Sequence, residues 1–132
     1  MRRIAFSMTT RQFLDGSKDV TRRLGWKLLK PGDHLIAVEK GMGLKKGDRQ
    51  RILGEIEVVS ARQVTLAGID RDECIREGFP GMTPGGFVAM FGRANRCGPE
   101  ARVTRIEFKH VVWGKFAGAD RCQQGTWPAK GS

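Results

Sequence analysis

Lys18 and Thr21 stand three residues apart, just after Gly16, and Arg22 and Arg23 follow at once. An amine and a hydroxyl in that pattern admit three readings. The first is a phosphate-binding strand studded with cations. The second is a catalytic pair, because a threonine hydroxyl is a weak nucleophile that needs a base close by. The third is a solvated polar turn. A lysine amine stays protonated at neutral pH unless burial or a neighbouring cation pushes it down. Arg22, Arg23 and Lys27 are near enough in sequence to supply that push, and equally able to hold a phosphate. On a regular strand, residues three apart point to opposite faces. Lys18 and Thr21 therefore meet only if the chain turns, and Gly16 and Ser17 permit a turn just before Lys18.

The elements that must position this pair are legible in outline. "RRIAFSM" reads as a first strand, and Thr9 or Thr10 as the cap of a short helix through "RQFLDG". "DVTRRL" is a short strand, "KPGD" a turn and "HLIAVEK" the strand leaving it. Lys40 to Arg51 has three glycines and five basic residues against one acid, which reads as a basic loop. "ILGEIEVVSARQVTL" alternates over part of its length, as a strand with one wet face does, and Gly54 marks a possible bulge. Asp70 suits the cap of a helix ending near Gly78. Thr83 suits the cap of a second, with Pro84 at its first position and Phe87, Met90 and Phe91 on one apolar face. "ARVTRIEFKHVVW" closes the pattern as a strand. The result is an α+β domain with a small curled sheet or barrel.

The chain of 132 residues holds 24 Lys and Arg against 14 Asp and Glu, a formal net charge of +10. Residues 1–51 hold 13 basic and 5 acidic residues, whereas residues 52–113 hold 8 of each. A basic half on a neutral scaffold points to a polyanionic partner, nucleic acid first. No apolar run approaches the ~20 residues that cross a bilayer, so a soluble, cytoplasmic protein is expected. Cys74, Cys97 and Cys122 form no CxxC pair, and His34 and His110 complete no zinc spacing. Neither a metal nor a cofactor is called for.

With these pieces in order, the sequence resembles an ASCH domain, of the PUA-like superfamily of small β-barrels. The family's Gly-x-Lys-x-x-Glu-x-Arg element reads here Gly16-Ser17-Lys18-Asp19-Val20-Thr21-Arg22-Arg23, with Thr21 in place of the usual Glu. "LKPGDHLIAVEKGMGLKKG", "EGFPGMTPGGFVAMF" and "VTRIEFKHV" resemble later pieces of a branch common in phage genomes. The resemblance covers residues 2–113, giving an ASCH domain over residues 1–113 and an irregular tail over 114–132. It implies an α+β fold, a small PUA-like β-barrel of about five or six strands with about three short helices. It also implies that RNA or a modified base binds in a cleft beside the barrel. One branch is an amidohydrolase acting on acetylated cytidine through a similar Lys-x-x-Thr element. On that pattern Lys18 is the general base, Thr21 the nucleophile and Glu77, on a later helix, the proton donor. Other members are ribonucleases or RNA-binding modules. Arg22, Arg23 and Trp26 are then expected to contact phosphate or base, with Lys40, Lys45, Lys46 and Arg49 as an electrostatic rim.

This charge distribution predicts that retention of single-stranded RNA falls steeply as salt rises, in proportion to the phosphates neutralised. Filter binding across a salt series measures it. Affinity indifferent to ionic strength would contradict the polyanion reading.

Overall fold

The computed structural model describes residues 2–39 and 51–111. Lys40, Lys45, Lys46, Arg49 and the expected tail lie outside the described residues. The elements follow in the order β1 (Arg3–Ala5), α1 (Thr10–Leu14), β2 (Val20–Arg23), β3 (His34–Val38), β4 (Ile52–Thr65), α2 (Arg71–Arg76), α3 (Pro84–Asn95) and β5 (Arg102–His110), with one 3-10 turn at Leu66–Gly68. Among the described residues the fold is α+β, a half-barrel sheet of five strands with three helices, consistent with the small barrel expected.

The strands form one sheet in the order β1-β3-β4-β5-β2. β1 runs parallel to β3, and the other three pairings are antiparallel. This order leaves β1 and β2 as the two edges. Edge strands carry unpaired backbone groups, and here one side chain spans the gap: the Arg23 guanidinium on β2 donates to the Ala5 carbonyl on β1.

Local chemistry sets the boundaries. Asp70 caps α2 by accepting from Glu73 N at 2.8 Å, and Thr83 caps α3 by accepting from Gly86 N at 3.0 Å. Pro84 opens α3 where its missing N–H costs nothing. The Thr cap of α1 behaves differently. Thr9 occupies the cap position without a side-chain cap bond, and the Thr10 hydroxyl donates back to Phe6 O at 2.8 Å. Gly54 sits where the β3–β4 register slips between Ala37 and Val38. A second irregularity on β4, between Val58 and Ser60, switches which residues face inward.

Alternation on β5 divides the packing into two cores. Ile106 and Phe108 point into the barrel with Ile4, Phe6, Phe13 and Ile56. Val103 points the other way, into a second core with Phe87, Phe91 and Cys74 from the helices. Phe13 on α1 is fully buried and stacks on Phe6 at 4.9 Å. Between these cores lies a charged seam. Glu73 on α2 accepts from Arg105 Nε at 2.6 Å and Nη2 at 3.1 Å, and from Arg22 Nη2 at 2.8 Å. Arg76 adds a two-pronged bond to Asp19, both at 3.0 Å. Charge thus fastens α2 to β2 and β5.

Two measurements check this account. Phe13→Ala removes the ring at the centre of the barrel core and is expected to cost about 3–5 kcal/mol in urea unfolding; a loss near zero would contradict the packing. The Arg105 hydrogen bonds hold the Glu73 carboxyl down at about 2, against burial and with help from Arg22. A carboxylate depressed in the folded state stabilises it above the ordinary glutamate range and loses that effect as pH falls. Stability is therefore expected to drop between roughly pH 4.5 and 2, and Glu73→Gln to flatten that segment. Identical acid profiles for both proteins would contradict it.

Candidate functional site

The site begins at the end of α2. Gly78, at φ 98°, adopts the left-handed conformation that closes a helix. Gly78 N donates to Ile75 O at 3.0 Å and Phe79 N to Cys74 O at 2.9 Å. Phe79 and Cys74 meet in the second core, the apolar contact that accompanies this termination. A side chain at Gly78 would come within 3.1 Å of Gln12 on α1. α1 and the end of α2 therefore pack closely, and Glu77 is fixed between them and β2.

Lys18 approaches from the other side. Its backbone N donates to Gln12 O at 3.1 Å, and Asp19 N donates to Arg76 O at 3.0 Å. The chain is thus tied to α1 and α2 just before β2 starts at Val20. Lys18 lies outside the regular strand, so alternation does not separate it from Thr21. Both line one cleft, and Glu77 lines it with them. The amine of Lys18 donates to the Glu77 carbonyl at 2.6 Å and to Oε1 at 3.2 Å. The first bond satisfies an otherwise orphaned carbonyl at a helix C-terminus. Arg22 Nη1 donates to Glu77 Oε2 at 3.1 Å. The Thr21 hydroxyl accepts from Arg23 Nε at 3.0 Å, which leaves its own proton free to be donated. Lys18, Thr21, Arg22 and Glu77 are all buried. Burial pushes the Lys18 amine below its ordinary range, Glu77 opposes that, and Arg23 and Arg22 add to it.

The cleft has a volume of about 170 Å³. Lys18, Thr21, Arg22, Arg23 and Glu77, with Ser7 and Thr9, supply its polar lining. Phe79 and the α3 face carrying Phe87, Met90 and Phe91 form an apolar wall. Phe6 lies beneath the cations, with its ring centroid 5.7 Å from Lys18 Nζ and 5.3 Å from the Arg23 guanidinium carbon. The pocket thus joins hydrogen-bond donors to an aromatic lining, in which the Phe79 and Phe87 rings meet edge-on at 62°.

Five of the expected residues therefore converge: Lys18, Thr21, Glu77, Arg22 and Arg23. Trp26 is elsewhere. It packs against the barrel core with Arg2 stacked 3.8 Å from its ring centroid. Lys40, Lys45, Lys46 and Arg49 fall outside the described residues. Sequence reasoning missed Glu73 and Arg105, which fasten Arg22, and the cleft-facing side of the α3 aromatics, read as core. The i, i+4 spacing of Glu73 and Glu77 on one helix face is the signal available for the former. Among the described residues no group of His, Cys, Asp and Glu could hold a metal ion. No described helix is long and apolar enough to cross a membrane.

No protein-family model matches the chain, and no curated protein matches it. Solved structures do match. The EF3133 protein of Enterococcus faecalis V583, of family DUF984, gives a TM-score of 0.57 at 13% identity, over 80% of this chain and 71% of its own. An ASCH domain from Lactobacillus crispatus JV V101 gives 0.54 at 14% identity, over 83% of this chain and 79% of its own. The hypothetical protein PH0355 gives 0.57 at 19% identity, over 84% of this chain and all of its own. At these identities the likeness is one of fold, and the fold of this chain is that of an ASCH domain.

Proposed function

We propose that the cleft binds a single nucleobase, presented by single-stranded RNA or by a free nucleoside. The observation that carries this reading is the make-up of its lining, aromatic rings together with hydrogen-bond donors. A base is flat and apolar on its faces, with hydrogen-bonding groups at its edge. Phe79 and the α3 aromatics suit the faces, and Lys18, Arg23 and Thr21 suit an acceptor-rich edge. Size supports the same reading. A cavity of about 150 Å³ takes one benzene ring, so about 170 Å³ suits one base with its sugar and phosphate outside. The strongly basic residues 1–51 would then attract the rest of a polyanion.

A second reading is favoured by one observation: the amine, hydroxyl and carboxylate of Lys18, Thr21 and Glu77 line the same cleft. On it, the protein deacylates an acetylated cytidine. Thr21 attacks the acyl carbonyl and gives its proton to Lys18. Lys18 passes that proton to the Glu77 carboxylate it touches at 3.2 Å, Glu77 delivers it to the departing amine, and water then releases the acyl group from Thr21. Lys18 must shed its proton first, and burial works in that direction.

One experiment separates the readings. The protein is incubated with acetylcytidine and with single-stranded RNA, beside Lys18→Ala and Thr21→Ala. Saturable binding without product, weakened in Lys18→Ala, is the expected result. Deacetylation lost in both folded variants would replace it with the amidohydrolase, and RNA cleavage would make it a ribonuclease. Neither binding nor product would overturn both.

A further inference from the structure

Arg22 has no place in the Lys-x-x-Thr pattern, and the fold has invested heavily in it. The side chain is 6% exposed. One end of its guanidinium grips Glu77 Oε2 at 3.1 Å, and the other grips Glu73 Oε1 at 2.8 Å. Its Nε is buried without a partner among the described residues. An unsatisfied buried donor is costly, so packing alone is a poor reason for an arginine here.

Its position suggests another. Lys18 and Arg22 divide one carboxylate between them: Lys18 holds Oε1 of Glu77 and Arg22 holds Oε2. We propose that Arg22 is a positioning residue that weakens the hold of Glu77 on the Lys18 proton, so that Lys18 can meet a ligand as a neutral amine. Two effects act in the same direction. Arg22 draws off part of the carboxylate's charge, and its own charge repels the ammonium. Arg22 cannot swing away to relieve the repulsion, because Glu73 holds it and Arg105 in turn holds Glu73. The other groups facing the pair fit this arrangement. Arg23, from β2, adds a second repelling charge. Asp19, next to Lys18, is taken up by Arg76. Cys74, from α2, is buried and its thiol is pushed up by that burial. Glu73 is committed to Arg22 and Arg105.

This inference rests on the reading of the cleft as a ligand site, but its test needs no ligand. The titration of Lys18 is followed by carbon-13 NMR of its ε-carbon in lysine-labelled protein, with Lys18→Met to assign the signal. Arg22→Gln keeps a donor for Glu77 and removes the charge, so its Lys18 titration is expected to move to higher pH. Arg22→Lys restores the charge and is expected to bring it back toward the wild-type position. Glu77→Gln removes the opposing charge and is expected to move it lower, which serves also if Arg22→Gln does not fold. A Lys18 titration unchanged or lowered in folded Arg22→Gln, or raised in Glu77→Gln, would overturn the proposal. Shifted titration together with failure to bind any base would instead remove the function reading and leave the electrostatic one standing.

Discussion

A buried carboxylate shared by two cations organises this molecule. Glu77 ends α2, and its two oxygens and its carbonyl receive Lys18 and Arg22 from the β2 segment. Withdrawing such charges from water is expensive, and the arrangement holds only if every member is paired with good geometry. The chain meets that condition for the charges by alternation, Arg22 Nε apart. Lys18, Glu77, Arg22, Glu73 and Arg105 follow one another in strict order of sign, and Arg76 ties the far side to Asp19 and Glu107. Removing one member would leave its neighbours buried and uncompensated, so the ladder acts as a unit. It fixes α2 on the sheet, and α2 in turn fixes the cleft.

Strand parity explains how one short strand serves both fold and site. Thr21 pairs opposite Ile106 and Arg22 opposite Arg105. Thr21 and Arg23 therefore lie on the barrel side, while Arg22 lies on the side covered by the helices. Arg23 bridges the open edges by reaching Ala5, and it also donates to Thr21. Lys18, free of the strand's alternation, folds in from the turn to join them. The α3 helix is used twice in the same way: Phe87 and Phe91 fill the second core and also present the apolar wall of the cleft.

Much of this was legible because it is local. Asp70, Thr83, Pro84 and Gly78 each act within a few residues through capping or backbone conformation, and each marks a helix boundary where the sequence suggested one. The family pattern supplied the long-range part, since nothing in spacing alone links Lys18 to Glu77 across 59 positions. What escaped reading was pairing between distant charges. Glu73 and Arg105 are 32 residues apart, and each looks like an ordinary surface residue in its own segment. Thr9 was legible as a cap by type, yet it is buried at the cleft and makes no side-chain cap bond, because tertiary packing decided its side chain. Trp26 was left open by its sequence. Its sequence context allowed both base stacking and core packing, and the structure packs it on the barrel core under Arg2.

The central claim is that the cleft between β2 and α3, with the Glu77 pairings at its base, is the surface that meets ligand. Chemical-shift mapping on nitrogen-15-labelled protein during titration with a short single-stranded RNA tests it most directly. The account predicts shifts concentrated at Phe6, Lys18, Thr21, Arg23 and Glu77, and along the Phe87–Asn95 face of α3. Shifts confined to the distant His34–Glu55–Glu57 surface, with the cleft residues unmoved, would contradict it.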